Sequence, residues 1–255
     1  MPVKGEGMRV AGSAGRAVAW ALSMTLALAA AAYGRGPSAG EDGPLPARLS
    51  DERGLSRWAH AVRVSPVRRS PSPRSSPVTS LRWRTEDGRP EVYLALRAHV
   101  DAAGRTWVKV RLPRYPNNSV GWVPRGSLGR LRAVDTALEV DRRDLRMRLR
   151  RGGRVVWSAP VGIGATATPT PAGRFYVREK LRNAFGDPLY GRWAIGTSAY
   201  SGLSDWPRGG VVGIHGTNQP WLIPGRPSHG CIRLENHDMA ALVRKLPIGT
   251  PIWIH

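Results

Sequence analysis

The sequence predicts a mostly-β protein in which two segments of short strands follow one another, with one short helix near the C-terminus. Three observations carry that expectation. Leu94, Leu96, Ala98 and Val100 alternate with Tyr93, Ala95, Arg97 and His99, and Val108, Val110 and Leu112 alternate with Trp107, Lys109 and Arg111. A second alternation, Leu145, Met147 and Leu149 against Arg146, Arg148 and Arg150, opens the C-terminal half. Period two over such runs marks strands with one buried face. The sustained helical stripe is Met239, Leu242, Val243 and Leu246, which reads as core.

The elements follow in order. Residues 1–33 carry Lys4, Arg9 and Arg16 ahead of an uncharged run from Ala17 to Ala32. A positive start, an apolar middle and small residues near Ala30 to Ala32 are the layout of a secretory signal peptide. Uncleaved, the same segment is an N-terminal membrane anchor, although sixteen residues are short for a full span. Export is expected in either case, to an extracytoplasmic, secreted or anchored location. Residues 34–77 are rich in Arg, Ser, Pro and Gly, a composition that buries too little apolar surface to offset its ordering entropy, so a linker is expected. Within it Leu55, Trp58, Ala59 and Val62 lie at helical spacing, which Gly54 weakens to a transient helix.

Residues 78–131 form the first strand segment, with turns at Asp101-Ala102-Ala103-Gly104 and Pro116-Asn117-Asn118. Residues 133–255 form the second. There Arg151-Gly152-Gly153-Arg154 turns a basic hairpin into Val155-Val156-Trp157. Phe175 to Val177 and Val211 to Ile214 are further strands, the latter setting His215 at a strand end. Asn236 is expected to cap the helix, Pro247 and Gly249 to stop it, and Ile252-Trp253-Ile254 to close the segment.

Charge narrows the partners. The chain has 39 Lys+Arg against 18 Asp+Glu, a net charge of +21, so it will bind polyanions. No helix-turn-helix, zinc finger or RNA-binding signature accompanies that charge, so nucleic acid is not expected. Anionic cell-wall polymers need no such motif and fit an exported chain. No phosphate loop, dinucleotide fingerprint or paired-cysteine site is present, so no cofactor and no metal are expected.

Cys231 is the only cysteine, in Ser228-His229-Gly230-Cys231-Ile232-Arg233-Leu234-Glu235-Asn236. His215 lies sixteen residues before it, in Ile214-His215-Gly216-Thr217. A free thiol has a pKa of about 8.5 and needs a nearby base to attack as thiolate. A histidine on a separate strand supplies such a base, and adjoining glycines let backbone N–H groups reach an oxyanion. Two other readings stand at the level of residue type: a buried small hydrophobe, and a zinc site from His215, His229, His237 and Cys231. An exported chain with one thiol has no internal disulfide partner, which favours chemistry.

The full string, HGT, then a Trp/Pro/Gly loop, then SHGCIRLEN, resembles the signature of the bacterial L,D-transpeptidase catalytic domain. The resemblance extends upstream to Thr168-Pro169-Thr170-Pro171-Ala172-Gly173-Arg174-Phe175 and downstream to Pro247-Ile248-Gly249-Thr250-Pro251, about the last half of the chain. Less specifically, Trp107-Val108-Lys109-Val110 with Gly121-Trp122-Val123-Pro124 resembles a small SH3-like barrel. The resemblance implies an L,D-transpeptidase-type β-sandwich or barrel with a short helix, preceded by the SH3-like barrel. It implies that Cys231 is the nucleophile on peptidoglycan tetrapeptide stems and His215 the base. The Gly216 carbonyl is then the candidate to orient the imidazole, and the amides of Gly230 and Cys231 the oxyanion hole. His229 is an alternative base or shapes the pocket. Ser228 belongs with the substrate-binding residues, Arg233 either meets a stem carboxylate or pairs with Glu235, and Trp221 either lines the acceptor entrance or packs in its loop. The implied outcome is 3→3 cross-linking in cell-wall biogenesis. The alternatives are an L,D-carboxypeptidase, with water as acceptor, and a wall-binding protein with an inactive catalytic domain.

Overall fold

The computed structural model describes residues 44–183, 186–202 and 210–255. The segment read as signal peptide or anchor lies outside the described residues. Among the described residues no helix is long and apolar enough to cross a membrane. The described residues are mostly β, with two sheets and one α-helix.

The first sheet has seven strands: β1 (Ser56–His60), β2 (Pro66–Arg68), β3 (Pro77–Ser80), β4 (Val92–Val100), β5 (Thr106–Arg111), β6 (Val120–Pro124) and β7 (Arg132–Val134), in the order β3-β2-β6-β5-β4-β1-β7. This corrects the expected linker over 34–77, since β1 and β2 lie inside it. The helix expected around Trp58 is β1, which pairs with β4 as Trp58↔Leu94 and Ala59↔Tyr93. The reason is that average composition concealed a few large apolar anchors. Leu49, Trp58 and Val67 are all at most 6% exposed, and β4 offers Trp58 both a ladder and a hydrophobic face. Asp51 supports the entry to β1, its carboxylate accepting from the N–H groups of Arg53, Gly54 and Leu55.

Strand β4 was expected to bury one face and buries both along its first half. Tyr93 and Ala95 join the core of the first sheet, while Val92 and Leu94 pack with Trp58, Val134 and Tyr176. The face of Tyr93 and Ala95, which alternation had assigned to solvent, closes the first sheet's own core, and a second layer covers the Val92 and Leu94 face.

That layer is the ten-stranded sheet, ordered β10-β9-β8-β17-β12-β13-β14-β16-β11-β15. Its strands are β8 (Thr136–Asp141), β9 (Arg146–Arg151), β10 (Arg154–Pro160), β11 (Gly162–Gly164), β12 (Gly173–Arg182), β13 (Trp193–Tyr200), β14 (Val211–His215), β15 (Gly225–Ser228), β16 (Ile232–Arg233) and β17 (Pro251–Ile254). The helix α1 (Asn236–Lys245) buries Met239, Leu242 and Val243, as its stripe predicts. Asn236 is the first helical residue rather than the cap, and its side chain is used elsewhere. The basic face of β9 is largely neutralised: Arg150 pairs with Glu139, and Arg148 lies among Glu139, Asp141 and Asp144.

Where the sheets meet, a charged network is buried. Arg178 of β12 donates from Nε and Nη2 to both oxygens of Glu91, and neither side chain is exposed. Nη2 also reaches Glu86 at 2.9 Å, and Tyr200 donates to the other Glu86 oxygen at 2.6 Å. Burial raises the Glu86 pKa, but Arg178 and Tyr200 prevail and hold it below the ordinary value. Nearby Thr85 donates to Glu179, whose pKa burial lifts to about 7.

Candidate active site

Cys231 and His215 are brought together by parallel pairing of β14 with β16, in the register Ile214↔Ile232 and His215↔Arg233. Extending that register sets Cys231 opposite Gly213, two residues from His215 and therefore on the same side of β14. Among the described residues Cys231 Sγ takes its one hydrogen bond from the Gly213 N–H, at 3.4 Å. No hydrogen bond joins thiol and imidazole at rest, as is common before substrate binds.

His215 is 3% exposed and its Nδ1 lies 2.6 Å from the Gly216 carbonyl oxygen. A carbonyl only accepts, so Nδ1 carries the proton and Nε2 holds a lone pair. Tyr190 packs against the ring, with centroids 4.8 Å apart. Burial, with Arg233 nearby, lowers the imidazole pKa to about 4, although the Gly216 carbonyl pulls the other way. Burial likewise pushes the half-buried Cys231 thiol above its ordinary value, with Gly213 N–H and Arg233 opposing it. The resting pair is therefore neutral.

The turn after His215 is clamped from α1. Asn236 accepts from the Thr217 N–H at 3.1 Å and donates to the Thr217 carbonyl at 3.0 Å. A Cβ at Gly216 would sit 2.1 Å from the same Asn236 oxygen, so glycine is required there. Asn236 thus holds the peptide whose carbonyl orients His215. The sequence placed Asn236 in the motif but read it as a cap.

A second set of contacts shapes the backbone around the thiol. Gly230 has φ +123°, in the region that favours glycine. Thr170 Oγ1 donates to the Gly230 carbonyl at 2.8 Å and accepts from Gly164 N–H at 2.9 Å. Ser228 Oγ donates to the Cys231 carbonyl at 2.5 Å and accepts from Gly230 N–H at 3.2 Å. The Gly230 amide is thus engaged at rest. Among the described residues the Cys231 amide has no partner and is the free donor of the two expected.

The other expected residues divide. Arg233 is 8% exposed, donates from Nη1 to Gln219 at 3.0 Å, and leaves its buried Nε without a partner. The Arg233–Glu235 strut is not formed; Glu235 lies near His237 instead. His229 is exposed, whereas His215 is enclosed. Trp221, in the Pro220–Leu222 turn between the motif halves, is 74% exposed. Ser228 acts on the backbone of the loop. Tyr190, Thr170 and Gly213 were not singled out as site residues by sequence, because each reaches the site from a distant position or through its backbone, and Gln219, inside the motif, was not read as the partner of Arg233. Among the described residues no three of His, Cys, Asp and Glu gather as a metal-ligand set.

Residues 135–254, just under half of the chain, match the family model of the L,D-transpeptidase catalytic domain (YkuD). The putative L,D-transpeptidase YkuD of Bacillus subtilis (strain 168) is 34% identical over 102 residues, covering 40% of this chain and 55% of that protein. The probable L,D-transpeptidase YbiS of Escherichia coli (strain K12) is 32% identical over 117 residues, covering 40% of this chain and 38% of that protein. The chain thus spans about half or less of the length of these relatives. Among solved structures, the catalytic domain of the Enterococcus faecium L,D-transpeptidase is 28% identical, with a TM-score of 0.38, covering 48% of this chain and 97% of that one. An L,D-transpeptidase from Mycobacterium tuberculosis H37Rv is 16% identical, with a TM-score of 0.41, covering 77% of this chain and 98% of that one. The family that the motif resembles is the family that the comparisons find.

Proposed function

We propose that this chain, through its L,D-transpeptidase catalytic domain, acylates Cys231 with peptidoglycan tetrapeptide stems and cross-links them outside the cytoplasm. The observation that carries the reading is the neutral His215, with Nδ1–H given to Gly216 and Nε2 free, on the strand beside Cys231.

The steps follow from those protons. His215 Nε2 takes the thiol proton as Sγ bonds to the carbonyl carbon between the third and fourth stem residues. Negative charge then develops on the carbonyl oxygen. The Cys231 N–H donates to it, and the Gly230 N–H joins once Ser228 Oγ gives it up; such donors are worth about 3–4 kcal/mol each. Collapse breaks the C–N bond, the imidazolium returns its proton to the leaving amine of D-Ala, and a thioester remains. The side-chain amine of a second stem attacks the thioester and loses a proton to His215, which passes it back to sulfur as the 3→3 bond forms. Arg233, whose charge already acts on both Cys231 and His215, is the cation placed for a stem carboxylate, and the exposed Trp221 borders the acceptor path.

The E. faecium catalytic domain has been solved acylated by ertapenem. Intact-protein mass spectrometry of this chain with ertapenem, and then with a tetrapeptide stem, tests the reading. One adduct on Cys231 and a cross-linked stem dimer are expected. A free tripeptide with no dimer would instead assign the L,D-carboxypeptidase, and no adduct would remove the nucleophile.

A further inference from the structure

A cleft of about 330 Å³ opens beside Trp253, lined by Glu52, Arg53, Glu139, Arg150 and Arg174. Trp253 is on β17, in register with Glu139 of β8 on one side and Arg174 of β12 on the other. Its neighbours Ile252 and Ile254 are in the core, so its own side chain stands on the outer face, 38% exposed. The Arg53 guanidinium carbon lies 5.5 Å from the indole centroid and that of Arg174 lies 5.6 Å from it. His255 supports the ring at 4.3 Å.

What sets this cluster apart from the other surface arginines is that two guanidiniums with unspent hydrogen-bonding capacity lie against one indole. Arg150 is held by Glu139 and Glu52 by Arg111. Among the described residues neither Arg53 nor Arg174 has a carboxylate partner or a side-chain hydrogen bond. Contact with an indole face holds a guanidinium in place without using its N–H groups, which project from the rim of the plane. The Arg53 backbone is fixed in turn by the Asp51 carboxylate. Two guanidiniums are thus held, donors unused, against an exposed aromatic plate.

We propose that this cleft binds an anionic saccharide, its carboxylate or phosphate bridging Arg53 and Arg174 and its apolar ring face against the exposed part of Trp253. Paired guanidiniums match the planar, bidentate geometry of such anions. An exposed aromatic with a few convergent polar groups in a cleft of this size suits a small cyclic ligand. The site belongs to the same sheet as Cys231, three strands from β14. Only the biological source of the sugar, carboxylated peptidoglycan or a phosphorylated wall polymer, rests on the proposed function.

Isothermal titration of the full chain tests this with N-acetylmuramic acid, glucose 6-phosphate and neutral N-acetylglucosamine. One charged sugar should bind at least ten-fold tighter than the neutral one, and whichever charged sugar binds tighter identifies the source. Arg53→Ala and Arg174→Ala should each weaken that binding about ten-fold with unchanged melting. Arg53→Ala should leave ertapenem acylation of Cys231 intact, and Cys231→Ala should leave sugar binding intact, so the two proposals fail separately. Equal affinity for charged and neutral sugars, indifference to both arginine substitutions, or tighter binding of a thymidine oligonucleotide would each overturn the assignment.

Discussion

The molecule buries two pairs of ionisable groups in opposite ways. At the joint between the sheets, Arg178 and Glu91 are both unexposed, both charged and doubly hydrogen-bonded. At the candidate active site, Cys231 and His215 are driven by burial towards their neutral forms. Desolvation acts on both pairs alike. What differs is compensation: the joint supplies each charge with a partner in fixed geometry, and the site does not. The joint therefore works mechanically and resists proton transfer, whereas the site keeps one mobile proton between two groups that can each exist without it.

The largest test of that contrast is Cys231→Ala. It should abolish the ertapenem adduct completely, while the midpoint of thermal unfolding stays within about 2 °C, because little packing is lost. An adduct of undiminished mass on the variant would move the nucleophile elsewhere. Next comes removal of all residues before Val78. That truncation deletes β1 and β2 and with them Leu49, Trp58 and Val67, so the cooperative melt should disappear; a sharp transition in circular dichroism would restore the linker reading.

Arg178→Met should then cost about 3–5 kcal/mol in urea unfolding, since Glu91 is left charged and buried. A loss below about 1 kcal/mol would mean that the network is solvated. The site should respond to pH instead. His215 takes up a second proton only below about 4 when folded, against about 6.5 when unfolded, so the unfolded state binds more protons between those values. Stability should accordingly fall by about 3 kcal/mol as pH drops from 7 to 4. His215→Gln should flatten that slope, and an unchanged slope would show that the imidazole is not buried neutral. The smallest effect is expected from Asn236→Ala. Freeing the Gly216 carbonyl to move should slow acylation about ten-fold, or 1.4 kcal/mol in barrier, with a shifted pH–rate profile. A fall in melting temperature with an unaltered rate would make Asn236 structural only.

Much of the site was legible in the sequence because it is local. His215 at a strand end and Cys231 in SHGCIRLEN lie in short, chemically distinctive strings, and the Gly216 carbonyl follows its histidine directly. Asn236, Thr170 and Tyr190 were not legible as site residues, since each acts on a backbone group or ring far from it in the chain. The stripe of α1 and the period of β9 were readable for the same reason as the motif: both depend on neighbours within a few residues. By itself the sequence determined most of the strands, the α1 stripe, the strings that carry His215 and Cys231, and the sign of the net charge. Tertiary structure alone decided that Trp58 lies in a strand, that β4 is covered on both faces, and that Arg178 meets Glu91. Those outcomes depend on which surface a second sheet removes from water, and burial by a distant segment leaves no period in the residues it covers.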